Sequence, residues 1–204
     1  MKITTLRWSA ISSWDYSKEQ WFDTYGRPLL GLPAIEQKSP QLSFGTYVDD
    51  KLQEDDSFIP SHPRYPIRQH VMKVMYGGIE LTGKLDWADF DKHQLWDTKT
   101  GVQPWTKKRA DEHGQLTMYL MMLYIANKKI KPEEWELGIH WIPTKKTETG
   151  DFKTIIDFRD NPIVPFSFPT KRTMLDILKF GGKIKNTAAL MEKYLDAKLP
   201  SLPR

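Results

Sequence analysis

The chain of 204 residues contains no cysteine. That excludes disulfides, thiolate zinc sites, iron–sulfur clusters and a cysteine nucleophile. It also lacks an apolar run of bilayer length. The longest, Met118 to Ala126, is too short to span, and the start, Met1 to Trp8, has no signal-peptide core. These absences lead us to expect a soluble protein of the cytoplasm with no membrane partner. No G-x-S-x-G, Walker loop or H-E-x-x-H is present, and the five histidines (His62, His70, His93, His113, His140) follow no metal spacing. Internal repeats and low-complexity segments are absent too.

What remains is ordinary for a folded protein: 39% hydrophobic, 27% charged and 12% aromatic residues. The length suggests one domain over residues 1–204, large enough to bury about 70% of its unfolded surface. The net charge of +4 permits a nucleic-acid partner without demanding one. Acid is concentrated at Asp49 to Asp56. From Lys99 to Lys146 there are nine basic residues against five acidic, and from Pro169 to Arg204 eight against three.

Periodicity and punctuation suggest the elements. Ser12 or Ser13 can cap a helix from Trp14 to Tyr25, stopped by Gly26 and Pro28. A second helix starts near Ser43. His70–Tyr76, Ile79–Phe90 and Gln94–Thr100 read as three strands joined by turns at Gly77-Gly78 and Asp91–His93. In the middle strand Ile79, Leu81, Gly83, Leu85 and Trp87 share one face, and Glu80, Thr82, Lys84, Asp86 and Ala88 the other. A helix follows over Ala110–Asn127, then strands at Trp135–Pro143 and Phe152–Phe158 joined by a polar turn ending at Gly150-Asp151. The last helix covers Thr170–Leu195 with a break at Gly181-Gly182. Prolines at 28–40, 60–66 and 162–169 mark connections, and the tail from Leu199 is expected to fray. His70 and His140 read as core histidines, and Trp8, Trp14 and Trp21 as helix-packing residues. The fold class is α/β, a mixed central sheet with a β-meander flanked by helices.

Chemistry concentrates at Asp97-Thr98-Lys99. Five acidic-x-Lys triplets occur, at Glu36/Lys38, Asp49/Lys51, Asp97/Lys99, Asp151/Lys153 and Asp196/Lys198. Most such triplets are surface ion pairs. Asp97/Lys99 differs because its hairpin partner carries Asp86, which the turn can bring alongside Asp97. Two carboxylates make a hard-oxygen site suited to Mg²⁺, completed by water and substrate phosphate. An adjacent lysine can orient the attacking water and offset charge on the phosphate, and burial together with a metal would lower its pKa. Glycosidase chemistry also uses two carboxylates but leaves the lysine without a role. Trp105, Lys107, Lys108 and Arg109 follow directly and suit DNA-backbone contact and base stacking; the plain alternative is a solvated helix start.

The run Gly83-Lys84-Leu85-Asp86 with Trp96-Asp97-Thr98-Lys99-Thr100-Gly101 resembles the core motif of the PD-(D/E)XK nuclease superfamily. Gln115-Leu116-Thr117-Met118-Tyr119 resembles the Q-x-x-x-Y motif of its RecB-like branch. Trp8-Ser9-Ala10-Ile11-Ser12-Ser13-Trp14 is similar to that branch's serine-rich helix entry, and Gly45 to Asp49 to its G-x-x-x-H motif with Asp49 in place of histidine. The resemblance implies a restriction-endonuclease-like core in a single domain, residues 1–204, with 165–204 a C-terminal helical segment. It implies Asp86, Asp97, the Thr98 carbonyl and Asp49 as metal ligands, with Asp50 or Glu54 as alternatives to Asp49. It makes Lys99 the catalytic lysine, and has Gln115 and Tyr119 bracing the site or touching phosphate. The function implied is a Mg²⁺-dependent DNA nuclease (Mn²⁺ substituting), an exonuclease at free DNA ends in recombination or repair. A phage origin acting in the host cytoplasm, and a homo-oligomer or a single-strand annealing partner, belong to the same expectation. The alternatives are a non-catalytic nucleic-acid-binding module on this fold and a structure- or site-specific endonuclease.

Overall fold

The computed structural model describes residues 2–35, 39–146, 152–154 and 165–199. Strand β1 (Thr5–Arg7) leads directly into helix α1 (Trp8–Tyr16). The first helix therefore begins before the expected Trp14, and Ser12 and Ser13 lie inside it. Ser17 supplies the break. Its backbone is extended at φ −156°, and its hydroxyl accepts the Gln20 N–H to cap α2 (Lys18–Trp21). A π-turn (Phe22–Gly26) and α3 (Arg27–Leu29) continue the helical region, so Gly26 and Pro28 do not end it. Pro28 sits in the first turn of α3, where its missing N–H costs nothing.

Helix α4 (Pro40–Glu54) runs through the acidic stretch and is capped by Ser39. The meander follows as β2 (Ile67–Tyr76), β3 (Ile79–Asp89) and β4 (Gln94–Gly101). The helix expected from Ala110 is instead two, α5 (Lys107–Asp111) and α6 (Gly114–Ala126). Arg172 holds the joint between them: its guanidinium donates to the carbonyls of Ala110 and His113. Strands β5 (Glu136–Lys146), β6 (Phe152–Thr154) and β7 (Phe166–Thr170) precede α7 (Met174–Lys198). The segment from 165 thus opens with a strand, not a helix. Pro169 is tolerated there because β7 pairs only with β5 among the described residues. Helix α7 is not broken at Gly181-Gly182. A Cβ on Gly181 would lie 2.3 Å from the Tyr76 hydroxyl, so this glycine permits close packing on β2. The Glu36/Lys38 triplet, the turn ending at Gly150-Asp151, the strand beyond Thr154 and the tail from Pro200 lie outside the described residues.

The strands form one mixed sheet along the path β1-β3-β4-β5-β6, with β2 also on β3 and β7 also on β5. β2 pairs along nearly all of β3 from one side. β1 and β4 therefore share the other edge of β3, β1 over Glu80–Thr82 and β4 over Trp87–Asp89. Residues 83–86 of β3 lie in the gap between them.

A large core joins one sheet face to α1, α6 and α7; a smaller one joins the opposite face to α4 through Val48, Leu52, Trp87, Trp96 and Ile142. The alternation in β3 differs from expectation. Ile79, Leu81 and Leu85 enter the large core, but Trp87 enters the small one and Ala88 the large. β2 changes sides at the same level: Met72 and Val74 face the large core, and so does Ile67, whereas Arg68 lies over the Trp87 ring. The switch falls at Gln69 and Asp86, the one rung missing from the β2–β3 register, where Gln69 takes φ +50°.

Two histidines are buried behind β4. His140 stacks on Trp96 at 4.3 Å and meets Tyr65 and Ser167 through its two ring nitrogens. His70, expected in the core, is exposed against Phe90. Burial pushes His62 down to about 4 and His140 to about 3. Both are neutral in the fold, while the unfolded chain protonates below about 6.5. Their stabilisation is therefore complete above pH 6.5 and is lost as pH falls towards the folded values. In urea titrations each should remove roughly 1.4 kcal/mol per pH unit below pH 6.5. Replacing His140 with Gln should flatten this pH dependence by about 1.4 kcal/mol per pH unit, and an unchanged slope would contradict the burial.

Candidate active site at a gap in the sheet

The gap leaves main-chain groups of β3 and β4 to be satisfied by side chains. Asp86 Oδ2 accepts the Thr98 N–H at 3.0 Å, taking the place of a ladder bond just beyond the last β3–β4 pair, Trp87–Trp96. The Tyr119 hydroxyl donates to the Lys84 carbonyl at 2.8 Å. Gly83 makes room for that ring, since a Cβ there would lie 2.8 Å from it.

One step along the register from Trp87–Trp96, Asp86 and Asp97 come opposite each other. Asp97 is 1% exposed, and its Oδ2 lies 2.6 Å from Lys99 Nζ. Neither Asp97 oxygen accepts a well-directed hydrogen bond. Lys99 donates to Gln115 Oε1 at 3.0 Å, and Gln115 Nε2 donates to the Tyr119 hydroxyl at 2.8 Å. The directions are fixed at both ends, because a carbonyl only accepts and an ammonium only donates. The chain therefore runs from Lys99 through Gln115, and from Gln115 through Tyr119 to the Lys84 carbonyl. His113 reaches the same Gln115 oxygen at 3.3 Å, so its Nε2 carries the hydrogen. Burial lowers His113 to about 4 and keeps the ring neutral.

Asp49 approaches from α4. A Cβ on Gly45 would lie 3.1 Å from Thr100 Oγ1, so this glycine lets α4 lie close on β4, and Asp49 is one turn further on. Asp49 Oδ2 accepts from Gln69, while its Oδ1 is buried without a partner. Burial raises Asp49 above the usual carboxylate range, and the charge of Asp97 adds to this. Asp86 is raised well above it, first by burial and then by Asp97 and Asp49. For Lys99 burial works downward, as expected, but Asp97, Asp86 and Asp49 outweigh it and the ammonium is held above its usual value. Three carboxylates thus outweigh burial at Lys99, while the Lys84 charge acts on Asp49; the lowering expected of Lys99 belongs to the site with a metal bound.

This arrangement suits a hard divalent cation. Buried oxygens of Asp97 and Asp49 lack donors, and a bound dication would relieve the mutual repulsion of the acids. No three His, Asp or Glu side chains among the described residues gather into a ready cage. Asp86 and Asp97 with the Thr98 carbonyl would supply the protein's share, and water and substrate the rest. The charge of Asp50 helps raise Asp49, and Glu54 pairs with Lys51.

On the opposite face Thr98 is fixed by a second chain. The Trp87 indole N–H donates to its hydroxyl at 2.8 Å, the hydroxyl donates to His62 Nε2 at 3.2 Å, and His62 Nδ1 donates to the Pro63 carbonyl. His62, His113 and Gln69 escaped the sequence reading because none stands in a motif. The basic segment is also modified. Trp105 is 7% exposed, its ring covered by Arg109 at 4.2 Å and met edge-on by His113, so it is not an open stacking surface. Lys107 pairs with Asp111, and Lys108 lies 3.9 Å from Glu112.

A family model described as the PD-(D/E)XK nuclease superfamily matches residues 18–196. No curated protein matches the sequence. Among solved structures, a phage related exonuclease from Haemophilus somnus 129PT superposes with a TM-score of 0.50 at 13% identity. It covers 96% of this chain and 83% of its own, a likeness of fold alone. A protein of Eubacterium rectale, named an exonuclease only by inference, gives a TM-score of 0.49 at 12% identity over 99% of this chain and 83% of its own.

Replacing Tyr119 with Phe should strand the Lys84 carbonyl and one Gln115 N–H inside the gap. The expected cost is about 1–3 kcal/mol in urea-induced unfolding. Wild-type stability in this variant would mean that the hydroxyl does not close the gap.

Proposed function

Because the chain belongs to the PD-(D/E)XK nuclease superfamily, and is therefore a nuclease that hydrolyses phosphodiester bonds, we propose that it is a Mg²⁺-dependent DNA nuclease acting at free DNA ends. One observation carries the site: the Lys99 ammonium lies 2.6 Å from Asp97, beside Asp86, in a gap where both Asp97 oxygens and Asp49 Oδ1 lack donors. Bound there, Mg²⁺ (or Mn²⁺ in its place) would polarise the phosphate and acidify a water. Asp86 and Asp97 would hold the ion together with the Thr98 carbonyl, and Asp49 would add charge from α4. Lys99, kept protonated by these acids and aimed by Gln115, opposes the charge that grows on the phosphate oxygens. Tyr119 acts through Gln115, as a positioning residue.

The preference for ends rests on the resemblance of Trp8–Trp14, Gly45–Asp49 and Gln115–Tyr119 to the RecB-like branch. In this reading residues 1–204 form one nuclease domain, 165–204 its C-terminal segment, working in the cytoplasm. Lys107, Lys108 and Arg109 grip the DNA backbone, with Trp105 as a support beneath Arg109. No helix among the described residues is long and apolar enough to cross a membrane. Recombination or repair is the setting this activity suits, alone, as a homo-oligomer or beside a single-strand annealing protein.

Lys99→Ala, which removes a transition-state contact, and Asp97→Asn, which removes a metal ligand, should each abolish cleavage in a chain that still folds and binds DNA near wild-type affinity. Gel assays with labelled DNA and a binding titration read both quantities. Wild-type cleavage by Lys99→Ala would refute the site. Linear and covalently closed circular DNA, each with Mg²⁺ or EDTA, test the rest. Loss of linear DNA alone, only with Mg²⁺, is expected. Cut circles would make the protein an endonuclease, and binding without cutting in Mg²⁺ and Mn²⁺ a non-catalytic module.

A further inference from the structure

We infer that Gln69 is a positioning residue that turns Asp49 into a metal-site carboxylate, an inference that rests on the nuclease reading above. Gln69 lies on β2 with φ +50°, a left-handed backbone that glutamine rarely adopts and that clusters at functional sites. Its rung, opposite Asp86, is the one missing from the β2–β3 register. A glutamine serving only the ladder would be extended and paired with Asp86. Here the turned backbone sends the side chain to another element, where Nε2 donates to Asp49 Oδ2 at 3.0 Å.

The consequence falls on Asp49. A carboxylate on a helix can turn either oxygen towards its neighbours, and one directed N–H removes that freedom. With Oδ2 engaged by Gln69, Oδ1 is left buried and without a partner. An amide performs this task without cancelling charge. A lysine or arginine at position 69 would orient Asp49 equally well but neutralise it, and the carboxylate would lose its attraction for a dication. The same turn puts Asp86 at the point where β2 and β3 exchange faces. A single residue thus tunes two acids, Asp49 by contact and Asp86 by backbone register.

Gln69→Gly and Gln69→Asn separate positioning from folding. Glycine and asparagine both accept φ +50°, so the strand is not penalised, and neither carries an amide able to reach Asp49. Calorimetric titration of the whole chain with Mn²⁺, without DNA, should show affinity lowered about 10–100-fold in both, as for losses of groups that orient a metal ligand. Melting temperatures should fall only by the few degrees that leaving Asp49 Oδ2 without its donor costs. Asp49→Ala should lose a similar amount, and Asp49→Ala with Gln69→Gly should lose no more than Asp49→Ala alone. Wild-type Mn²⁺ affinity in Gln69→Gly overturns the inference. So does a further loss of affinity when Gln69→Gly is added to Asp49→Ala, since a role in the strand alone would give that. If the wild-type chain neither binds Mn²⁺ nor cuts DNA, the nuclease reading fails first. Wild-type binding and cutting with an unaffected Gln69→Gly rejects only the role of Gln69.

Discussion

The unpaired stretch of β3 between β1 and β4 organises this molecule. A sheet interior cannot leave its N–H and C=O groups without partners. Here β1 satisfies one end of the β3 edge and β4 the other, and residues 83–86 between them need substitutes. The substitutes are side chains: Asp86 on the Thr98 N–H and Tyr119 on the Lys84 carbonyl. Those replacements bring a carboxylate and a phenol into the plane of the sheet. From there the hydrogen-bond chain through Gln115 reaches Lys99. Strand pairing and site geometry are therefore one arrangement.

Electrostatics gives that arrangement its direction. Asp49, Asp86 and Asp97 are crowded around the Lys99 ammonium, with Lys84 acting on Asp49, and burial makes the crowding costly. A fold shaped for stability alone would dilute these charges with water. This one holds them from both sides. Thr98 is pinned from behind by Trp87 and His62, so its neighbours Asp97 and Lys99 must face α6. At the head of α6, Arg172 spends five hydrogen bonds on Thr117, Thr170 and the carbonyls of Ala110, His113 and Lys171. That clamp sets where α6 begins, and so where Gln115 meets Lys99. A buried cation with neutral acceptors on every N–H is costly to misplace, which makes the joint rigid.

Much of this was legible in the residues. The meander was readable because β-branched and aromatic residues alternate between clear turns, and α6 because its apolar run lies within the helix expected over Ala110–Asn127. Asp86, Asp97, Lys99, Gln115 and Tyr119 were singled out by motif, and the structure brings them together. The errors have local causes. Ser12 and Ser13 looked like caps, yet the extended backbone that capping requires occurs at Ser17. Gly181 looked like a helix breaker, but it is a glycine chosen for the approach of Tyr76. Trp105 looked like a stacking surface beside lysines, while burial gave it to the core. β1 and β7 are too short, and β7 too rich in proline, to announce themselves.

By itself the sequence determined the fold class, the order of the main elements and the Asp-x-Lys chemistry, because periodicity and residue type are local properties. Only the tertiary structure decided which acids share a field, which way Gln115 points, and that Gln69 and Asp86 sit where two strands exchange faces. The reason is physical. A backbone angle such as φ +50° at a glutamine, or a lysine held up by three carboxylates from different elements, follows from contacts between residues far apart in the chain. No single stretch of sequence contains them.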